Sequence, residues 1–194
     1  MGTHFSGLYL DCPRKFHLKY LMGLKPAKIA RALNFGVVMH EAQFQLYKTG
    51  SLEWALEWFA QHLLSLKDSY SNAEHFTQDY YRGPTMFEAW ASKWYEEDTK
   101  TYNFLALEQQ LNPVLANGIP ITVRPDRVFQ HKDTGQIVIP DTKTTSYTVT
   151  SPHVTMEHGQ QATSYIWALS KEYPLSQIDG VMVDTIFSRV KSDG

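Results

Sequence analysis

Two short stretches of the chain could do chemistry together: Arg124-Pro125-Asp126 and Asp141-Thr142-Lys143. If the second is a strand, its alternating side chains put Asp141 and Lys143 on one face. Between the stretches lies Asp133-Thr134-Gly135, a turn signal. A hairpin centred between Asp133 and Thr134 sets Asp126 opposite Asp141, within a residue or two of register. Two carboxylates facing each other across a ladder repel, by up to about 1 kcal/mol when exposed and by more when buried. Such a pair needs a compensating cation, and a divalent metal supplies one with the Lys143 ammonium alongside. Carboxylate oxygens suit Mg²⁺ or Mn²⁺ rather than a thiolate-seeking metal. A hard dication polarises a phosphoryl oxygen and lowers the pKa of a water bound to it. A neighbouring ammonium orients that water and stabilises charge in a pentavalent transition state. The reaction so implied is phosphodiester hydrolysis. The plain alternatives are a surface ion pair of Asp126 with Arg124 or Arg127, and a salt-bridged strand end at Asp141 and Lys143.

The elements that must hold these residues follow from periodicity. Residues 1–103 read mainly as helices, and residues 104–194 alternate strand and helix. Without a Pro/Gly/Ser-rich linker between the two parts, 1–194 is expected to form one domain. Pro13 suits a first helical residue, followed by Phe16, Tyr20 and Leu24 at i, i+4 spacing. Leu33, Val37, His40, Phe44 and Tyr47 form one stripe of an amphipathic helix. A third helix is expected from Ser51 to about Tyr70, with Leu52, Leu56, Phe59, Leu63 and Leu66 inward. A fourth is expected from Thr85, where Thr85-x-x-Glu88 fits a capping box, with Phe87, Trp90, Ala91 and Trp94 inward. Strands are predicted at Phe104–Leu111, at Ile121–Gln130 after the Asn117-Gly118 turn, and at Ile137–Thr144. A helix capped near Thr155 should run to about Lys171 and end before Pro174, leaving Ile178–Phe187 as a last strand. The fold class is therefore α/β: a mixed central sheet flanked by helices, with an N-terminal helical layer.

Composition narrows the partners. The 194 residues carry 18 Lys and Arg against 20 Asp and Glu, a net charge of −2. That excludes a globally cationic nucleic-acid binder but leaves room for a local basic groove. Arg14, Lys15, Lys19, Lys25, Lys28 and Arg31 have no acid among them and can track phosphates, unless they are only a solvated helix face. No apolar run approaches the roughly 20 residues of a membrane span, so no membrane association is expected. The single cysteine, Cys12, reads as a small buried hydrophobe. A lone thiol, and a Met1–Leu10 stretch without signal-peptide layout, point to a cytoplasmic protein.

Pro125-Asp126 with Asp141-x-Lys143 resembles the defining motif of the PD-(D/E)XK nuclease superfamily. Four further segments resemble its RecB-like exonuclease branch, which includes CRISPR-associated and phage-type nucleases. These are Ser6-x-Leu8-x-Leu10-x-Cys12-Pro13-Arg14-Lys15-Phe16, Gly36-x-x-x-His40, Asp141-x-Lys143-Thr144 and Gln161-x-x-x-Tyr165. The ordered set spans nearly the whole chain. The resemblance implies a restriction-endonuclease-like fold and a Mg²⁺- or Mn²⁺-dependent deoxyribonuclease, an exonuclease on DNA ends or single strands. It implies His40, Asp126 and Asp141 as metal ligands, joined by the backbone carbonyl of Thr142, with Lys143 as the catalytic lysine. Gln161 and Tyr165 would contact DNA or brace the site, as would Arg14 and Lys15 on the basic segment. Glu108 sits where the branch often has an acid and would be an outer-shell or second-metal ligand. Many relatives carry four cysteines around an iron–sulfur cluster; only Cys12 is present, so no cluster is expected. Relatives often have a further strand or helix where this chain stops at Gly194, so a minimal or shortened form is expected.

Some residues keep a second reading. His40 on an apolar stripe fits a hydrogen-bonded core histidine, although Gly36 before it and the Asp–Lys motif after it favour a ligand. Tyr165 can serve helix packing alone, and Asp184 reads as structural. Two other functions are compatible with the same residues: a catalytically inactive nucleic-acid-binding or scaffolding module, and a metal-assisted hydrolase of small phosphoesters.

Overall fold

A computed structural model describes residues 8–25, 31–145 and 160–187. The helical layer comes first. A short helix α1 (Pro13–Phe16) begins on Cys12, whose sulfur accepts the Lys15 backbone N–H at 3.4 Å, and continues as a π turn over His17–Leu21. Cys12 is exposed, not buried as expected, because it caps this helix end. Helix α2 (Arg31–Thr49) ends at Gly50, whose φ of +71° turns the chain. The Ser51 hydroxyl then caps α3 (Leu52–Ser65) by accepting the Trp54 N–H at 3.2 Å. As predicted, Phe59 and Leu63 of α3 are fully buried.

Helix α4 (Ala73–Trp90) starts twelve residues before the predicted Thr85. Its cap is Asn72, which accepts the Glu74 N–H at 2.7 Å, and Pro84 lies inside the helix. Packing carries the helix through this break. A Cβ on Gly83 would lie 2.6 Å from the Phe59 ring and 3.1 Å from Phe35, so α4 seats directly on α3 and α2 there. A π turn (Ala91–Tyr95) and α5 (Glu96–Thr101) lead into the sheet.

The stripe on α2 is divided between core and solvent. The core takes Phe35, Val38, Met39, Ala42, Leu46 and Tyr47, whereas Leu33 and Val37 are 60% and 48% exposed. The helix is apolar on two adjacent faces, and spacing of three and four residues fits both. Of the stripe read from the sequence, Tyr47 joins the core, whereas Leu33, Val37, His40 and Phe44 line a cleft, described below.

Four strands follow in the spatial order β1-β2-β3-β4. They are β1 (Tyr102–Leu107), β2 (Arg127–His131), β3 (Ile137–Thr145) and β4 (Ile178–Phe187). The first three meander antiparallel, and β4 lies parallel to β3. The crossover between β3 and β4 carries α6 (Gln160–Leu169). The predicted start of that helix near Thr155 lies outside the described residues. Phe129↔Val138 and Gln130↔Ile137 pair in the register that the Asp133-Thr134-Gly135 turn predicted. The first two strands are shorter than expected. Glu108 leaves β1 with φ +49°, and 109–126 form isolated bridges, Leu111↔Val123 and Val114↔Pro120 among them, around Gly118. Pro120 and Pro125 have no N–H to extend a ladder.

Two apolar clusters sandwich the sheet. Helices α2, α3 and α4 pack with Phe129 and Ile186 on one side. Tyr165, Ala168 and Leu169 of α6 pack with Val128, Ile137 and Ile139 on the other. The result is an α/β fold with a mixed four-stranded sheet flanked by helices, of the restriction-endonuclease-like architecture. Among the described residues no helix is long and apolar enough to cross a membrane.

Candidate active site

The β2–β3 ladder pairs only two residues of each strand, and Asp126 stands in a bend just before β2 begins. Elements from both sides of the sheet converge on this opening. From one side α2 brings His40, whose Nδ1 lies 3.0 Å from Asp126 Oδ2. Gly36 makes that approach possible: a Cβ there would sit 3.3 Å from Thr144 Oγ1, so α2 crosses close to the end of β3. The Glu108 N–H donates to the Asp126 carbonyl at 2.9 Å, which binds the two acid-bearing segments together. Arg124 Nε lies 3.1 Å from Glu108 Oε2. One ligand atom each from His40, Glu108 and Asp126 falls within 4.8 Å of the other two.

From the other side, β3 brings Asp141 and Lys143, and α6 brings Gln161 and Tyr165. Asp141 is fully buried, and the Lys143 ammonium sits 2.6 Å from its Oδ2. Gln161 Nε2 donates to Asp141 Oδ1 at 3.1 Å, while its Oε1 accepts from Lys143 Nζ at 3.2 Å. Gln161 Nε2 also donates to the Tyr165 hydroxyl at 2.5 Å, and that hydroxyl donates to Asp141 Oδ1 at 3.4 Å. The two sides meet where the Thr142 N–H points to Asp126 Oδ2 at 3.4 Å.

Electrostatics at the opening are unbalanced toward negative charge. Burial, then the nearby Asp126 charge, push the Asp141 carboxyl above its ordinary range, with Lys143 opposing. Burial and Asp126 do the same to Glu108, opposed by Arg124. Burial also works against ionised Asp126, but the His40 hydrogen bond and charge, with Arg127 and Lys143, outweigh it and lower its pKa. Burial disfavours the His40 imidazolium, yet its bond to Asp126 raises the pKa overall. Burial raises the Tyr165 phenol, which stays a hydrogen-bond donor.

These residues fit a hard divalent ion. One imidazole and two carboxylates are close enough to share it. Among the described residues the buried Asp141 Oδ2, although beside the Lys143 ammonium, has no donor aligned on it and keeps lone pairs to offer. The cleft that holds them measures about 770 Å³. It is walled by Leu33, Val37 and Phe44 of α2 and by Arg124, Thr142, Thr144 and Gln161.

The sequence-predicted residues sort clearly. His40, Asp126, Thr142, Lys143, Gln161, Tyr165 and Glu108 all line the cleft, and Asp141 lies beneath it, held by Lys143, Gln161 and Tyr165. The tightest donor set contains Glu108, expected only as an outer ligand, while Asp141 lies outside it. Arg14 and Lys15 are exposed on α1 and do not line the cleft. Of their neighbours, Arg31 is bound to Asp79 at 2.5 Å, and Lys28 lies outside the described residues. The ion-pair alternative for Asp126 does not hold, since Arg124 faces Glu108 and Arg127 faces Asp184 at 2.7 Å. Sequence reasoning missed Arg124 as the partner of Glu108 and Glu41 as a cleft residue. Glu41 could have been found, because it follows His40 directly.

No curated protein matches the chain. The family model of the PD-(D/E)XK nuclease superfamily matches residues 7–191. With that match covering nearly the whole chain, and with Asp126, Asp141 and Lys143 meeting at the opening of a restriction-endonuclease-like sheet, the chain belongs to the PD-(D/E)XK nuclease superfamily.

Proposed function

We propose that the chain is a divalent-metal-dependent deoxyribonuclease of the RecB-like exonuclease branch, acting on DNA ends or single strands. One observation carries this reading: a His40–Glu108–Asp126 donor set and a Lys143–Asp141 pair open into one cleft. The branch assignment is supported by Gly36-x-x-x-His40 and Gln161-x-x-x-Tyr165, whose named residues all border that cleft.

His40, Glu108, Asp126, Asp141 and the Thr142 carbonyl would hold Mg²⁺ or Mn²⁺. Such an ion supplies Lewis acidity toward a phosphoryl oxygen and a lowered pKa for water. Asp141 fixes the direction of the Lys143 Nζ, and Gln161 Oε1 holds the same group from α6. The ammonium then stabilises the extra negative charge as the phosphorus becomes pentavalent. Tyr165 and Gln161 brace Asp141 Oδ1, which keeps Oδ2 toward Lys143. A strand with unpaired bases suits the cleft better than an intact duplex. Leu33, Val37 and Phe44 offer an apolar wall to bases, and among the described residues the lining cations are few: Arg124 and Lys143 beside His40.

The test is a panel of end-labelled single- and double-stranded DNA and nitrophenyl phosphate, each with EDTA, Mg²⁺ or Mn²⁺. Metal-dependent shortening of DNA from its ends, fastest on single strands and absent in EDTA, is expected. Salt-dependent DNA binding with no cleavage under any metal would favour an inactive binding module. Turnover of the small phosphoester alone would point to a phosphoesterase.

A further inference from the structure

On the α2 face of the sheet, beneath the cleft-lining Thr142, lies a buried charge that the reading above does not use. Arg127 is 3% exposed. Its Nη2 donates to Thr142 Oγ1 at 2.6 Å and to Asp184 Oδ2 at 2.7 Å, and its Nη1 donates to the Tyr47 hydroxyl at 3.2 Å. Tyr47 in turn donates to Asp98. The guanidinium carbon lies 5.4, 5.6 and 5.8 Å from the ring centres of Tyr47, Trp90 and Phe129. A buried ion pair is a poor way to stabilise a core, since well-packed apolar residues of like volume often do as well or better. Its position in the chain suggests another use.

Arg127 follows Asp126 directly, and Thr142 stands between Asp141 and Lys143. The β2–β3 ladder pairs Phe129 with Val138 and Gln130 with Ile137 and is not continued to Asp126 and Asp141. At the site, therefore, backbone pairing does not fix the spacing of the two acidic segments. The 2.6 Å Arg127–Thr142 bond spans that gap. Asp184, opposite Thr142 in the parallel β3–β4 register, anchors the same nitrogen from the next strand. We propose that Arg127 is a positioning residue for the cleft. It ties β2 to β3 across the opened ladder, and so sets the distance between the Asp126 group and the Asp141–Lys143 pair. The proposal rests on the metal-dependent nuclease reading for its function, and the experiment separates the two.

Thr142→Val keeps a β-branched side chain in β3 and removes the Oγ1 partner; Arg127→Lys keeps charge and loses the two-nitrogen geometry. Mn²⁺ affinity is measured by calorimetry, and DNA cleavage is followed against Mn²⁺ concentration. Circular dichroism and thermal melting establish that each variant is folded. A folded Thr142→Val should bind Mn²⁺ between about tenfold and a hundredfold more weakly, as for other residues that orient ligands. Its Mn²⁺ requirement for cleavage should rise in parallel. A role in stability alone would lower the melting temperature and leave Mn²⁺ affinity unchanged, which overturns the proposal. If Arg127→Lys does not fold, Thr142→Val decides. Wild-type protein that binds Mn²⁺ but cuts no DNA would end the nuclease reading, while the affinities would still judge Arg127. Wild-type protein that takes up no Mn²⁺ overturns both.

Discussion

Lys143 and Asp126 differ in what they should do for the site. The Lys143 ammonium is 2.6 Å from Asp141 and is itself no metal ligand, so Lys143→Ala should abolish cleavage while Mn²⁺ binding survives. Asp126 belongs to the donor set, so Asp126→Ala should lose cleavage and most Mn²⁺ affinity together, with the fold intact. Calorimetry beside a cleavage assay checks both; wild-type digestion by either folded variant contradicts the assignment. A second residue-scale prediction concerns Asp98. Burial pushes its carboxyl up to about 6, with the Tyr47 hydrogen bond and Arg127 opposing. The same group ionises near 3.8 when unperturbed. Between those values the folded state holds the proton that the unfolded chain has lost, so this group's effect on stability worsens as pH rises. Asp98→Asn removes that slope and still accepts the Tyr47 O–H. Its melting temperature relative to wild type should climb from about pH 4 to 6 and then level off. A difference that stays flat over that range would refute the assignment.

At the scale of elements, the site depends on how closely α2 lies against β3. Gly36 is the contact point, with room for a Cβ only at 3.3 Å from Thr144 Oγ1. Gly36→Leu should push the helix outward and carry His40, one turn on, away from Asp126. Overpacking of this kind costs about 1–3 kcal/mol in stability. Its larger effect should be on Mn²⁺ affinity, which depends on His40 reaching the shared ion. Equal Mn²⁺ binding by a folded Gly36→Leu variant would show that α2 placement does not matter. The elements were only partly legible in the sequence. The β2–β3 turn, its register and the whole of β4 follow from local chain chemistry, because Gly135 takes φ +73° and alternation fixes the faces. The start of α4 and the inward face of α2 do not. Both are settled by packing against α3 and the sheet, which periodicity does not encode.

For the whole molecule, the donor set makes metal binding and folding testable together. The donors come from α2, the end of β1 and the approach to β2, so an ion bound there stabilises all three in the folded state and none in the unfolded chain. At about a hundred times its Kd an ion adds roughly 2.7 kcal/mol. For a chain of this size that raises the melting temperature by about 5 to 10 °C. Mn²⁺ should produce the rise, EDTA should reverse it, and Asp126→Ala should show none; a rise of equal size in that variant would place the ion elsewhere. The amino-acid sequence by itself determined the superfamily resemblance, the α/β class and the acid–lysine group at the centre of the cleft. Asp126, Asp141 and Lys143 are readable because strand alternation and a turn of fixed length are local rules, whereas His40, Gln161 and Tyr165 entered through the motifs of the resemblance. Only the tertiary structure decided that Glu108 joins His40 and Asp126, that Leu33, Val37 and Phe44 of α2 wall a cleft, and that Arg127 bridges to Thr142. Those relations join segments far apart along the chain. They arise from how helices and strands stack and where a ladder opens, and no local pattern carries that information.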